Sequence, residues 1–246
     1  MFLGLYNYTV FLTYLNLLSG FIGIISLSIN HSHFNYASIF LLISGILDMF
    51  DGLVSRCKKK RSIQEKKYGV QIDSLADIIS FGLLPILIGW SIFKQEYINI
   101  NNNKNFILLF RNYLSILQLF FIFFCSLYLL AVLIRLAHFN VIVDIFKKKN
   151  DYYIGIPVTF SSIIFPFLVL LQNVSKKYYN SKDYFLFLNY YFNIFPIIYL
   201  LFIFLLSFLF IFDKIKIPKK KNIFFIFGLS IIFLTLICTI YYFIKF

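Results

Sequence analysis

The segment YASIFLLISGILDMFDGLVSR, residues 36–56, joins an apolar run of membrane-spanning length to two aspartates and an arginine. An α-helix needs about 20 apolar residues to cross the hydrocarbon core of a bilayer. Similar runs occur at roughly 10–29, 72–93, 114–137, 155–172, 190–212 and 222–244. The sequence therefore predicts an all-α, polytopic membrane bundle of about seven transmembrane helices, with residues 1–246 forming a single membrane-embedded domain.

The composition agrees with this prediction and excludes a soluble protein. Of the 246 residues, 61% are hydrophobic and 13% are charged, whereas about a quarter of the residues in soluble proteins are charged. The net charge is +13, but no basic helix face accompanies it, so we expect no nucleic-acid partner. We interpret the excess positive charge as contacts with membrane lipids, because anionic headgroups attract lysine and arginine.

The basic residues are distributed unequally between alternate loops. Loops 56–67, 138–154 and 213–221 hold 15 of the 23 lysines and arginines. Because such residues accumulate in cytoplasmic loops, this pattern predicts a multi-pass protein of the cell membrane with a cytoplasmic N-terminus. Loop 56–67, and any site beside it, would then face the cytoplasm.

Four of the ten acidic residues lie at the facing ends of the second and third apolar runs: Asp48, Asp51, Asp73 and Asp77. At about 100° per residue, each pair points to one side of its helix. An ionised aspartate at the centre of a membrane helix costs about 2.5–3.5 kcal/mol, so four neighbouring ones indicate a shared cation. Oxygen ligands without histidine or cysteine favour Mg²⁺, Mn²⁺ or Ca²⁺. A site for one or two such ions would suit a phosphate-bearing substrate.

Two glycines and an arginine stand beside these acids. Gly52 and Gly69 lack side chains, which lets a nucleotide or pyrophosphate approach the backbone. Arg56 can bind a phosphate through two parallel hydrogen bonds. Salt bridges between the aspartates and nearby basic residues are the simplest alternative, but they require neither this spacing nor the glycines. An intramembrane ion site of a cation transporter is an alternative from another functional class.

The segments DMFDGLVSR (48–56) and GVQIDSLAD (69–77) together resemble the signature of the CDP-alcohol phosphatidyltransferase family. Four further segments are similar to the branch of that family that makes phosphatidylserine: TYLNLLSG (13–20), DSLADIISFGLLP (73–85), RLAHFNV (135–141) and GIPVTFSS (155–162). The resemblance covers residues from about 9 to 165, whereas the helices over 190–244 match in hydropathy alone. Ser55 replaces the usual alanine, and the 57–68 spacer is longer than the family's.

The resemblance implies a reaction and a set of site residues. The phosphatidyl group of CDP-diacylglycerol would pass to L-serine, giving phosphatidylserine and CMP, with Mg²⁺ or Mn²⁺ as cofactor. The four aspartates would be metal ligands, and Asp77 would also be the catalytic residue. The CMP and pyrophosphate pocket would comprise Gly52, Ser55, Arg56 and Gly69, and the headgroup candidates are Arg135, Asn16 and Ser80. Resemblance to the family also implies a homodimer.

The acceptor alcohol stays open at this point. Glycerol 3-phosphate or inositol phosphate are the alternatives within the same family. A phosphorylated acceptor needs several basic residues in its pocket, and Arg135 is the charged residue most clearly placed within an apolar run. We therefore expect serine, with Arg135 as a substrate contact. The alternative for Arg135 is extension to the membrane surface, as long basic side chains do.

Overall fold

The computed structural model describes residues 8–58, 62–102, 107–145, 152–180, 185–214 and 216–218. Within these residues the chain is almost entirely helical. The helices are α1 (Tyr8–Ile29), α2 (Phe34–Cys57), α3 (Ile63–Asp77), α4 (Leu84–Asn102), α5 (Ile107–Ile145), α6 (Ser161–Asn180) and α7 (Phe185–Ile211). A π-helical segment, Ile78–Leu83, connects α3 to α4 without a break, and 3₁₀ turns at His31–His33 and Val158–Phe160 precede α2 and α6.

Among the described residues, five stretches of helix are long and apolar enough to cross a membrane: Val10–Ile29, His31–Ser55, Ile63–Gln95, Ile116–Val141 and Val158–Ser175. The apolar part of α7, Phe195–Ile211, is shorter. These six stretches coincide with the first six predicted runs, which confirms an all-α, multi-pass membrane protein. The seventh run, 222–244, lies outside the described residues, so the count of seven and the single domain over 1–246 stay predictions.

A short two-stranded ribbon links two loops of the bundle. Strand β1 (Tyr152–Ile154) follows α5, strand β2 (Lys216–Pro218) follows α7, and the two pair antiparallel. The loops after α5 and α7 therefore lie at the same end of the bundle. Since α3–α4 and α5 each run between opposite ends, the α2–α3 loop is at that end as well. These are the three loops rich in basic residues, and the membrane side that they face stays a prediction.

The core is built around aromatic side chains of α5, α6 and α7. Tyr128, Phe165 and Tyr199 are fully buried, and the rings of Phe165 and Tyr199 lie 5.0 Å apart. A buried hydroxyl needs a hydrogen-bond partner. Tyr128 donates to the carbonyl of Phe81 at 2.8 Å and Tyr199 donates to that of Pro85 at 2.8 Å.

Pro85 explains why the carbonyl of Phe81 accepts a hydrogen bond from a side chain. Pro85 has no N–H to donate to the carbonyl of Phe81, four residues earlier in the helix. Ser161 at the start of α6 also donates to this carbonyl, at 3.4 Å. Pro85 in the third membrane span thus leaves the Phe81 carbonyl available as an acceptor, through which α5 and α6 bond to the π-helical segment.

Substitution of Gly89 tests how tightly α4 and α7 pack. A Cβ at Gly89 would lie 2.5 Å from the ring of Tyr199, whereas a Cβ at Gly82 would lie 3.3 Å from the tip of Leu129. The ring cannot easily move, because its hydroxyl is bonded to Pro85. We expect Gly89→Ala to lower the stability by about 1–3 kcal/mol. Thermal unfolding of the detergent-solubilised protein measures this, with Gly82→Ala as the control. Equal midpoints for the two variants would contradict the packing described.

Candidate metal centre

Three carboxylates from two helices converge near one end of the bundle. Asp48 lies on α2, and Asp73 and Asp77 lie four residues apart on α3, where side chains share one face. Each offers an oxygen atom within 4.8 Å of the others. Asp77 is buried, and Asp48 and Asp73 are partly buried. The second and third spans thus present their aspartates to one another.

The fourth predicted aspartate connects this cluster to α1. Asp51 is one turn beyond Asp48 and is 8% exposed. Its Oδ2 accepts a hydrogen bond from the Thr13 hydroxyl at 2.8 Å. The side chain of Asp73 lies within hydrogen-bonding reach of Asp51. All four aspartates therefore meet in one region, which we call the aspartate cluster.

The aspartate cluster has the properties of a site for a hard divalent cation. Its atoms are carboxylate oxygens, the donors that Mg²⁺ and Mn²⁺ prefer. Oδ1 of Asp73 is buried and accepts no hydrogen bond from the described residues. Crowded carboxylates away from water repel one another strongly, and a bound cation removes that cost. The residues present therefore fit a divalent metal ion.

Asn16 of α1, a predicted headgroup residue, lies against the aspartate cluster. Its side chain is fully buried, and Nδ2 donates to Oδ1 of Asp77 at 3.3 Å. The carbonyl of Asn16 accepts hydrogen bonds from Ser44 at 3.3 Å and from Ser80 at 3.1 Å. Ser80 is therefore adjacent to the cluster, but its hydroxyl is bonded to the backbone of α1.

The residues predicted for CMP and pyrophosphate lie on the same two helices, closer to the loop. Gly52 and Ser55 follow Asp51 on α2, and the Ser55 hydroxyl donates to the carbonyl of Gly52 at 3.2 Å. Gly69 precedes Asp73 by one turn of α3. The backbone of Arg56 belongs to the last turn of α2, but its side chain lies outside the described part of the structure.

The long 57–68 spacer extends the start of α3. Ser62 caps the helix: its hydroxyl accepts from the Glu65 N–H, and the Glu65 carboxylate accepts from the Ser62 N–H, both at 3.1 Å. Glu65 also forms an ion pair with Lys58 at 3.0 Å. The segment SIQE (62–65) is the sequence signal of such a capping box, and it could have predicted the start of α3. The additional residues thus lengthen α3 and leave the aspartates facing each other.

Arg135, on α5, packs against the loop before α6. Its Nε donates to the carbonyl of Ile156 at 3.3 Å. The neighbouring Gly155 has a φ of +72°, and a Cβ there would lie 3.4 Å from the guanidinium carbon of Arg135. On either side of Arg135, α5 bonds to the α3–α4 span, since Asn140 donates to Ser74 at 2.9 Å and Tyr128 to Phe81. This register places Arg135 at about the level of Asp77.

Comparison with known proteins agrees with the resemblance. The CDP-alcohol phosphatidyltransferase family model matches residues 6–244. The chain is 30% identical over 158 residues to the CDP-diacylglycerol–serine O-phosphatidyltransferase of Saccharomyces cerevisiae, covering 60% of this chain and 48% of the relative. It is 31% identical over 155 residues to the protein of the same name from Helicobacter pylori, covering 62% and 54%.

A third relative is an archaetidylserine synthase of Methanothermobacter thermautotrophicus, 42% identical over 90 residues, which are 36% of this chain and 37% of the relative. The chain spans about half the length of the first two curated relatives that it matches. No solved structure matches it.

Neutralising one aspartate should have opposite effects on thermal stability with and without metal. In EDTA, we expect Asp73→Asn to raise the unfolding midpoint by a few degrees, because relief of about 1 kcal/mol of repulsion shifts a chain of this size by about 2–4 °C. With Mn²⁺ added, the variant should lose the stabilisation that the wild type gains. The measurement is thermal unfolding of purified protein.

Glu65→Gln serves as the control for Asp73→Asn, because Glu65 lies on the same helix as Asp73 but is paired with Lys58, which follows α2. This control should keep the Mn²⁺-dependent shift and gain no stability in EDTA. A wild type whose midpoint does not respond to Mn²⁺ or Mg²⁺ would contradict the metal centre.

Proposed function

The chain belongs to the CDP-alcohol phosphatidyltransferase family, and on that premise we propose that it transfers the phosphatidyl group of CDP-diacylglycerol to L-serine, releasing CMP. One observation carries the proposal: the segments that match the family signature bring Asp48, Asp73 and Asp77 to within 4.8 Å of each other. Relatives named CDP-diacylglycerol–serine O-phosphatidyltransferase support serine as the acceptor and phosphatidylserine as the product.

The aspartate cluster would hold Mg²⁺ or Mn²⁺, which would neutralise negative charge on the pyrophosphate oxygens of the donor. Gly52, Ser55 and Gly69 would line the pocket for CMP and pyrophosphate on the loop side of the cluster. Arg56, at the end of α2, would bind a phosphate oxygen and stabilise the charge on departing CMP. Hydrogen-bond donors that are already positioned where this charge develops bind the transition state more strongly than the substrate.

Asp77 would be the residue that accepts a proton. The serine hydroxyl oxygen attacks the phosphorus that bears diacylglycerol, and the bond from that phosphorus to CMP breaks. The hydroxyl proton passes to the Asp77 carboxylate. Asn16 donates to Oδ1 of Asp77, so it restrains the orientation of this carboxylate during proton transfer.

Arg135, Asn16 and Ser80 would face the headgroup side of the site. Arg135 lies at the level of Asp77, and a guanidinium there can pair with the carboxylate of serine. Ser80 acts through Asn16, since its hydroxyl holds the backbone of that residue. A single cationic side chain suits an amino acid, whereas a phosphorylated acceptor needs a denser positive pocket.

The position of the aspartate cluster suits a donor in the membrane and an acceptor in water. Asp51 is six residues from the end of α2 and Asp73 is ten residues from the start of α3, which is about 9–15 Å along a helix. The acyl chains of the donor can remain in lipid while serine enters from solution. The basic α2–α3 loop supports a cytoplasmic site in the cell membrane. We also propose a homodimer built from single-domain subunits.

A panel of acceptors tests the proposed reaction. Purified protein with CDP-diacylglycerol and Mn²⁺ or Mg²⁺ should release CMP when L-serine is added. Glycerol 3-phosphate and inositol phosphate should give only the background release. CMP release with one of these acceptors and none with serine would refute the acceptor and leave the class standing. Failure with every acceptor, together with metal transport into vesicles, would favour the cation transporter.

Replacing Asp77 tests the proton acceptor. Asp77→Asn keeps the size and shape of this buried side chain but removes the basic carboxylate. We expect serine-dependent CMP release to fall at least about 100-fold, the lower range for loss of a general base. Membrane insertion and yield should stay at the wild-type level. Asp213→Asn, at an exposed acidic residue beyond α7, should retain full activity. Substantial turnover by Asp77→Asn would contradict the assigned role.

A further inference from the structure

We propose that Thr13 and Asn16 of α1 are positioning residues of the aspartate cluster, each orienting one carboxylate for metal binding. Thr13 holds Oδ2 of Asp51, and Asn16 holds Oδ1 of Asp77. The consequence for turnover rests on the proposed function, whereas the consequence for metal binding does not. A helix that supplies no carboxylate would thus determine the geometry of the site.

The hydrogen bond of Thr13 is directed specifically at the cluster. Its side chain is 3% exposed, and the hydroxyl reaches Asp51 on another helix at 2.8 Å. A partly or fully buried hydroxyl on a helix can instead bond to a carbonyl of its own helix. Ser26 does so with Gly23, and Ser38 with Asn35. The Thr13 hydroxyl therefore does not need Asp51 to form a hydrogen bond, and its bond to the Asp51 carboxylate indicates that it orients this carboxylate.

Hydrogen bonds from two other segments restrain the backbone of Asn16. Its backbone carbonyl accepts hydroxyl hydrogen bonds from α2 and from the π-helical segment, through Ser44 and Ser80. These two bonds restrain the backbone of Asn16, and with it the position from which the side-chain amide donates to Asp77. Its Oδ1 is buried and has no partner among the described residues. Since carboxylates cannot donate to this oxygen, it is available to a donor group on a bound molecule.

The face of α1 that carries these residues is adapted for close packing. Thr13, Asn16 and Gly20 recur at intervals of three and four residues and so share one face. A Cβ at Gly20 would overlap the Ser80 hydroxyl. Glycine thus lets the π-helical segment that directly follows Asp77 lie against α1. Hydrogen-bonded partners behind metal ligands fix the orientation of those ligands and typically change metal affinity 10–100-fold when removed.

The test compares two substitutions of Thr13. Thr13→Val keeps the shape but removes the donor, and Thr13→Ser keeps the hydroxyl. Ser19→Ala is the matched control, because Ser19 is a buried hydroxyl on the same helix that donates to the carbonyl of Phe40 at 2.8 Å. Binding of Mn²⁺ alone to purified protein is measured from the electron paramagnetic resonance signal of free Mn²⁺. CMP release is followed in parallel as Mn²⁺ is varied.

We expect Thr13→Val to weaken Mn²⁺ binding at least about 10-fold, while Thr13→Ser restores it. Ser19→Ala should bind Mn²⁺ like the wild type. Unchanged binding in Thr13→Val would overturn the proposal, and so would an equal loss in Ser19→Ala, which would indicate general loosening of α1. If Thr13→Val does not give folded protein, Thr13→Ala takes its place under the same criteria.

The two proposals fail in different ways. If the wild type releases no CMP with serine but Thr13→Val still weakens Mn²⁺ binding, the reaction is wrong and the positioning role stands. If serine-dependent release is found and Mn²⁺ binding does not depend on the Thr13 hydroxyl, the positioning role is wrong and the reaction stands. Asn16→Leu extends the test to Asp77, where we expect serine-dependent turnover to fall along with Mn²⁺ affinity.

Discussion

Carboxylates confined together inside a membrane bundle are the constraint on which the rest of this structure depends. Water cannot fully solvate the aspartate cluster, so every charge must be balanced by a cation or by hydrogen-bond donors. The bundle provides donors from α1, where Thr13 and Asn16 each reach one carboxylate. The remaining balance is available to a metal ion, and the buried Oδ1 of Asp73, which has no partner among the described residues, is a proposed ligand for it. The proposed metal binding and the electrostatic cost of the cluster therefore have the same origin.

The core formed by α5, α6 and α7 contacts the aspartate cluster through the π-helical segment. The π-helical segment begins directly after Asp77, and its Phe81 carbonyl is bonded to Tyr128 and Ser161. Pro85 leaves that carbonyl without its usual helical donor. A change of helical pitch next to an aspartate is thus stabilised by hydroxyls from α5 and α6. The packing of these four helices and the direction of the Asp77 carboxylate are therefore physically connected, and π-helical turns are frequent at functional sites.

Much of the fold and part of the site were predictable from residue patterns. Six apolar runs coincide with helices because lipid imposes a minimum length on a spanning helix. The convergence of the aspartates followed from their spacing at the facing ends of two runs. The capping box at Ser62 was also readable but was missed, and with it the start of α3. Thr13 gave no signal of its own, since one threonine in an apolar helix usually bonds within that helix.

The sequence by itself determined the membrane-spanning helices, the grouping of four acids on two of them and the family signature. These properties depend on length, polarity and spacing along one helix, all of which are local. Only the tertiary structure decided that α1 donates to Asp51 and Asp77, that Ser80 bonds to the backbone of Asn16, and that Arg135 packs against Gly155. Such contacts join residues 38 to 64 positions apart within the first three spans. They depend on the rotation and axial shift of each helix against its neighbours, which packing sets and no local pattern specifies.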